Sequence, residues 1–157
     1  MPAWLWLLLL AGVVAVAGQF VLLAWVRQKQ QTHLIEMQQR YAGQEVQVLR
    51  ALLAREGKRY PAVVVFTREH FLLKPVFGRE QQYPWRAVRR LEWRTYVWEK
   101  KPIIDSRTMT PAPVLHLELC AGGELDLATF AEFAEPAHAY LNRVGLSVAG
   151  EPGTLLE

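Results

Sequence analysis

The longest pattern in the sequence is an apolar run at its start, residues 5–26, in which Gln19 is the only distinctly polar side chain. As a helix, these 22 residues rise about 33 Å, which matches a hydrocarbon core of about 30 Å. No charged side chain occurs before Arg27. The pattern predicts a transmembrane helix within residues 1–26, because a chain of 157 residues offers too little protein to bury such a helix as a core element.

Aromatic and basic residues flank this run in the arrangement that is typical of membrane interfaces. Trp4 and Trp6 stand at its start, Trp25 stands at its end, and Arg27 and Lys29 follow directly. Since basic residues favour the cytoplasmic side, and none precedes the run, the long remainder of the chain is expected in the cytoplasm. We therefore expect a single-pass protein of the cell membrane, with these five residues as its interface anchors.

A cleaved signal peptide is the alternative, because residues 15–17 (Ala-Val-Ala) have the small-x-small form of a cleavage site. Cleavage after Ala17 would release an extracytoplasmic or secreted β domain. Two features favour an uncleaved anchor. The segment before the run carries no Lys or Arg, and the run continues to Val26, well past the cleavage site.

Two further segments flank the part of the chain that we expect to fold as a domain. Residues 27–44 are polar and rich in Gln, and they predict a helical connector that continues the span until Gly43 interrupts it. Its apolar residues, which have the spacing of a modest helical stripe, are Leu34, Ile35, Met37 and Tyr41. At the other end, residues 146–157 contain Gly150 and Pro152 and predict a flexible tail.

Between these segments, residues 45–145 read as short β-rich runs that are followed by one helix. The runs that predict strands are 62–66, 70–74, 81–83, 90–95, 115–119 and 125–127. Residues 46–54 are ambiguous, because their composition favours a helix while their length between glycines favours a strand. In residues 90–95, Leu91 and Trp93 alternate with Arg90, Glu92 and Arg94, which predicts one buried and one exposed face.

The closing helix is predicted from an amphipathic stripe. Its apolar members are Phe130, Phe133, Ala137, Tyr140, Leu141 and Val144. Thr129 and Glu132 have the spacing of a capping box, and Gly145 is a natural stop. Pro136 either kinks this helix or lies in its first turn.

A run of strands closed by one amphipathic helix resembles the pleckstrin-homology superfold, in its GRAM-like and bacterial PH-like versions. The segments that carry the resemblance are 43–46, 63–72 and 83–88. The resemblance implies an α+β fold, an antiparallel β barrel or sandwich of about seven strands that one C-terminal helix caps. It also implies binding rather than catalysis.

Charge is divided unevenly along the chain, whose formal net charge is +3. Residues 27–107 hold 17 basic and 8 acidic side chains, whereas residues 108–157 hold 1 basic and 7 acidic. Six of the basic residues and an apolar pair in the loop 100–113 form our candidate binding set: Arg86, Arg89, Arg90, Arg94, Lys100, Lys101, Ile103 and Ile104. The partner would be anionic lipid headgroups or a protein, while nucleic acid is not expected. An ordinary solvated basic surface is the alternative interpretation of these charges. Ala11, Ala15 and Gly18 share a helical face that would suit a homodimer or simply contact lipid.

The residue types that carry chemistry are scattered. The four histidines lie in different predicted elements, and the only cysteine, Cys120, rules out a cysteine-based metal cluster. His116 alternates with leucines and is expected on the outward face of its strand. The acidic residues Glu118, Glu124 and Asp126 could bind a cation, but a solvated acidic face is the favoured interpretation. We predict no metal, no cofactor and no catalytic residue, and a small enzyme of unrecognised type is the alternative.

Overall fold

One unbroken helix, α1 (Ala3–Arg40), begins the chain in this computed structural model, which describes residues 2–55, 58–97 and 111–152. Its 38 residues rise about 57 Å, because each residue adds about 1.5 Å. Residues 27–40 contain neither Gly nor Pro, so nothing interrupts the helix between the apolar run and the polar connector. The helix ends at Arg40 with Tyr41 as its C-cap, just before Gly43 turns the chain back with φ +80°.

The described residues that follow form seven antiparallel strands and one further helix. The strands are β1 (Gln47–Arg55), β2 (Lys58–Phe66), β3 (His70–Pro75), β4 (Gln81–Pro84), β5 (Val88–Val97), β6 (Pro111–Leu119) and β7 (Glu124–Thr129), and the helix is α2 (Ala131–Arg143). A single 3₁₀ turn, Trp85–Ala87, joins β4 to β5. The strands make one curled half-barrel sheet in the order β4-β3-β2-β1-β7-β6-β5. The predicted α+β class is confirmed, and the strands form one continuous sheet because β1 pairs with both β2 and β7.

The ambiguous run 46–54 is a strand. Leu49, Ala51 and Leu53 alternate into the core, and β1 pairs over nine residues with β2 and over four with β7. Pairing on both sides therefore overrides a composition that favours a helix.

The main core lies between the inner face of the sheet and α2. From α2 it receives Ala134, Ala137, Tyr140 and Leu141, all of them buried. The Tyr140 hydroxyl donates to the carbonyl oxygen of Glu45 at 2.8 Å, and burial raises the pKa of Tyr140 above its ordinary value. The helix is thus held to the chain that leads from α1 into β1.

The predicted start of α2 is wrong in one respect. Thr129 does not cap the helix, because it is the last residue of β7 and its hydroxyl donates to the Arg50 carbonyl oxygen at 2.9 Å. Phe130 occupies the N-cap position without a side-chain cap, which takes it off the helical stripe and leaves it 55% exposed. Pro136 lies inside α2, and the helix continues past it to Arg143.

The outer face of β2 and β3 is covered by the second part of α1. Leu34 and Met37 form one buried cluster with Val63, Val65 and Leu72. Because α1 covers one face and the main core lies against the other, residues 62–66 are all buried. This explains why that run is continuously apolar rather than alternating.

The second part of α1 runs along β2 in the same direction as the strand, so the two ends of the sheet can be distinguished. Gln30 Nε2 donates to the carbonyl oxygen of Ala62 at 2.9 Å, and Met37, further along the helix, clusters with residues further along β2. We call the end of the sheet where β2 begins and β3 ends (Pro61, Pro75) the proximal end, because it faces back toward the apolar part of α1. The end with the β2–β3 turn (Thr67–His70) is the distal end.

The segment after α2 packs on the margin of β5. The Trp93 N–H donates to the Ala149 carbonyl oxygen at 2.8 Å, and the Ala149 N–H donates to the Leu91 carbonyl oxygen at 3.0 Å. Leu146 and Val148 pack against the main core. The structure thus differs from the flexible tail predicted from residue 146, because two apolar side chains and a parallel bridge hold the described part of that segment.

Gly150 permits this contact, and its replacement provides a test. Its φ is +73°, and a Cβ at this position would lie 2.9 Å from the Trp93 carbonyl oxygen. We expect Gly150→Ala to detach the segment and to speed hydrogen exchange at the Trp93 amide about tenfold, since about 1.4 kcal/mol of hydrogen bonding is lost. Gly145→Ala is the control, because its φ is also positive (+84°) but its Cβ would meet nothing within 4 Å. Equal exchange in the two variants would contradict the contact.

Candidate functional site

The apolar part of α1 is exposed along its length. It contains an 18-residue window with a mean hydropathy of 2.5, no part of which is buried, so this helix is long and apolar enough to cross a membrane. Trp4, Trp6 and Trp25 are 58%, 63% and 44% exposed. The first and last of these lie about 31 Å apart along the helix, close to the thickness of a hydrocarbon core. Arg27 and Lys29 are exposed just beyond it.

At the proximal end of the sheet, an aromatic side chain from the β3–β4 loop contacts this helix. The rings of Trp25 and Phe77 lie 5.6 Å apart, and Lys29 Nζ lies 4.9 Å from the centroid of the Trp25 ring. Phe77 is itself 50% exposed. The sequence pattern did not indicate that Phe77 belongs to a site. The one feature that could have done so is an aromatic residue beside a glycine in a loop between two strands.

Polar contacts add to the packing that fixes α1 to the sheet. Lys74 Nζ donates to both carboxylate oxygens of Glu36 at 2.9 Å, and Arg40 donates to both oxygens of Glu80 at 3.0 Å. The hydrogen bond from Lys74 holds the pKa of the Glu36 carboxyl below its ordinary value. The hydrogen bond to Glu80 raises the pKa of the Arg40 guanidinium. The domain is therefore fixed directly to the second half of the helix, and no flexible linker separates the two.

The predicted basic residues of β5 lie on the side of the strand opposite the core. Leu91 and Trp93 are buried, while Arg90 is exposed and Arg94 is partly exposed, as the alternation predicts. Both arginines approach one carboxylate oxygen of Glu92, at 3.4 and 3.0 Å. The hydrogen bond from Arg94 holds the pKa of the Glu92 carboxyl below its ordinary value.

Arg89 is exposed for a different reason. The pairing of β5 with β6 shifts register between Val88 and Arg90, so a bulge occurs at Arg89. Strict alternation would place Arg89 beside Leu91 in the core. The bulge instead leaves its side chain exposed and lets Val88 pack against the core.

Arg86 lies in the 3₁₀ turn and reaches the distal end of the sheet. Together with four residues from β3, β4 and their neighbours it lines a shallow depression: Glu69, His70, Gln82, Pro84 and Arg86. Beside it, the Thr67 hydroxyl donates to the His70 carbonyl oxygen at 2.8 Å and accepts from the His70 N–H at 3.1 Å. The structure therefore places Arg86 and His70 at one depression, which their spacing in the sequence did not indicate. Lys100, Lys101, Ile103 and Ile104 lie outside the described residues.

His116 was predicted on the outward face of its strand, and the structure places it there but buries it. His116 points away from the core leucines that flank it, but it is only 1% exposed. Its Nδ1 lies 2.6 Å from Asp126 Oδ1, while its Nε2 lies 3.9 Å from Glu118 Oε1 and makes no hydrogen bond. Two of the three predicted acidic residues thus surround a buried imidazole, and Glu124 is exposed.

Within the described part of the chain, no three His, Cys, Asp or Glu side chains are arranged to hold a metal ion. Cys120 is exposed, and its Sγ lies 3.7 Å from the Arg86 carbonyl oxygen. His138 accepts a hydrogen bond from Trp93 Nε1 at 3.0 Å, which ties α2 to β5.

No known protein family and no curated protein matches this chain. Among solved structures, the chain is similar to the C-terminal domain of an unknown protein from Leishmania infantum, with 6% sequence identity and a TM-score of 0.45. The match covers 69% of this chain and 92% of that chain. A likeness at this level carries no argument about function.

Proposed function

We propose that this chain is a single-pass membrane protein whose β domain is a pleckstrin-homology-like binding module on the cytoplasmic side. The observation that carries the proposal is the division of α1. Its first part is apolar and exposed, and its second part is clamped to the sheet by Met37 and by the Glu36–Lys74 pair. A helix built in this way would hold a folded domain directly at a membrane surface.

Two features support an uncleaved anchor facing the cytoplasm. The apolar surface of α1 continues after Ala17, with Phe20 and Val21 67% and 69% exposed, so a chain cut at that point would carry an apolar helix into water. Arg27 and Lys29 follow the span, which favours the cytoplasmic side for the domain.

The pleckstrin-homology-like assignment is supported by the curled sheet of seven antiparallel strands and the C-terminal helix, with which such a fold is compatible. The resemblance favours binding over catalysis. A tethered module meets its partner at a high effective concentration, so the affinity of each contact can be modest.

Charge and position favour an acidic protein as the partner. Arg86 and Arg89 are exposed, and Arg86 lines the depression at the distal end. The length of β3, six residues or about 20 Å, separates that end from the proximal end. A protein surface can reach the distal end more readily than the bilayer that α1 crosses.

The anchor is tested by mass spectrometry of the mature N-terminus of the full chain, together with extraction of its membranes in alkaline carbonate. We expect a chain that retains residues 1–17 and stays in the pellet. A chain that begins at Gly18 would reject the anchor and favour a released β domain.

The partner surface is tested with a photo-crosslinking amino acid at Gln82, in the full chain and in its native membranes. We expect Arg86→Glu/Arg89→Glu to reduce the yield of a crosslinked protein about tenfold, because like charges now face an acidic surface. The control, Arg86→Lys/Arg89→Lys, keeps both positive charges at the same positions and should retain the yield. Equal losses in both variants, or crosslinks to lipid alone, would contradict an acidic protein partner at the distal end.

A further inference from the structure

The proximal end of the sheet presents an aromatic side chain that the fold does not bury. Phe77 is 50% exposed although its ring lies 5.6 Å from Trp25, the last aromatic residue of the apolar run. The Trp25 ring is also 44% exposed, and Lys29 Nζ lies over it. An apolar pair that begins at the end of a membrane-spanning run and continues onto a β domain is therefore exposed to whatever surrounds that point.

The loop that carries Phe77 is fixed rather than loose. Val76 is 6% exposed, and its N–H donates to the Pro61 carbonyl oxygen at 2.8 Å, which ties the loop to the start of β2. Gly78 has φ +128°, a conformation that side chains rarely adopt, so the chain turns sharply after Phe77. The turn holds Phe77 outward beside Trp25, and the ring does not fold back into the core.

Exposed cationic side chains lie at the same end of the sheet as this aromatic residue. Because Ala62 pairs with Pro75, the first residues of β2 lie at the same end of the sheet as the loop. Lys58 and Arg59 at the start of β2 are exposed, and so is Arg79 in the loop. The neighbouring acid, Glu80, is already bonded to Arg40. An exposed aromatic ring with exposed cations at the same end of the sheet suits a membrane interface, because aromatic rings prefer the headgroup level and cations attract anionic headgroups.

We propose that the proximal end is a second membrane contact, in which Phe77 enters the headgroup region and Lys58, Arg59 and Arg79 face anionic phospholipid headgroups. This inference rests on the proposed function, since it requires α1 to cross the bilayer. Trp25 then marks the level of the interface, and Phe77 is held at that same level by its contact with Trp25. The occupant is the bilayer surface itself, because the exposed apolar surface of α1 runs directly into the Phe77 ring.

The contact fixes how the domain sits on the membrane. The transmembrane helix alone does not fix the rotation of the protein about the helix axis. In every rotation, the anchoring residues lie at the same depth in the membrane. Insertion of one side of the domain selects a single rotation. It also keeps the distal end pointing away from the lipid, where the proposed partner surface lies.

The test is depth-resolved spin labelling of the full chain in vesicles. Cys120→Ser removes the native thiol, and a nitroxide is attached at Arg79→Cys, beside Phe77, or at Arg68→Cys, in the exposed β2–β3 turn of the distal end. Accessibility to oxygen relative to a nickel chelate is measured in vesicles of phosphatidylcholine, alone or mixed with phosphatidylglycerol. Flotation of the same samples records whether the chain is anchored.

We expect the oxygen-to-nickel ratio at position 79 to exceed that at position 68 about fivefold in the mixed vesicles, as partial burial of an aromatic ring allows. Phe77→Ser and Phe77→Asp should bring the two positions together while the spectrum at position 68 stays unchanged. Equal ratios in a chain that floats would overturn this inference and leave the anchor standing. A chain that does not float would overturn both. Equal depth with and without phosphatidylglycerol would overturn the role of the cations.

Discussion

Replacing Met37 with alanine is expected to lower the free energy of unfolding by about 2–5 kcal/mol, the usual cost of truncating a large, fully buried side chain. Met37 is 0% exposed, and it lies in the cluster that α1 makes with Val63, Val65 and Leu72. Few other side chains from α1 enter that cluster, so the cavity would weaken most of the apolar contact between helix and sheet. The second half of α1 should then separate from the domain while its first half is unchanged.

The measurement is urea denaturation of the full chain in detergent micelles, combined with limited proteolysis of residues 27–40. Ile35→Ala is the matched control, because Ile35 lies two residues away on the same helix and is 44% exposed. The control should change stability by less than about 1 kcal/mol and leave proteolysis unchanged. Similar losses in both variants would mean that the two side chains contribute equally to the docking of α1.

Replacing Asp126 with alanine is expected to cost about 1–3 kcal/mol, because it leaves a buried imidazole without its hydrogen-bond acceptor. His116 is 1% exposed, and its Nε2 already makes no hydrogen bond. Loss of the Asp126 carboxylate would leave both ring nitrogens unsatisfied away from water.

Glu118→Ala is the control for this prediction. The Glu118 and Asp126 side chains are both 27% exposed and both face His116, but their oxygens lie at 3.9 and 2.6 Å from its ring nitrogens. Only the shorter distance is a hydrogen bond. Thermal or urea unfolding should therefore separate the two variants, and equal stabilities would show that general charge near His116, rather than this bond, matters.

The sequence pattern predicted the direction of side chains on the strands better than it predicted whether those side chains are buried. Alternation assigned Leu91 and Trp93 to the buried side of β5, and that assignment is confirmed. The same rule turned His116 away from the core, but alternation carries no information about burial on the other face. Alternation does not extend to Arg89, because a bulge at that position changes the period by one residue without an obvious signal in the sequence.

The candidate site was less predictable, because its parts meet through tertiary structure. Arg86 and His70 line one depression only because β4 pairs with β3, and Phe77 contacts Trp25 only because α1 docks on β2. The sequence pattern correctly predicted that the arginines of β5 are exposed or partly exposed cations. It could not show that Arg86 lies at the end of the sheet opposite the apolar run.

The bridge between Ala149 and β5 also affects whether one copy of the chain can pair with another through the edge of its sheet. β5 spans ten residues at the margin of the sheet, and a bare strand of that length is a template for pairing with another chain. The opposite margin is short, because β4 has only four residues and ends at Pro84. By occupying the backbone groups of Leu91 and Trp93, the C-terminal segment shields the longer margin against edge-to-edge aggregation.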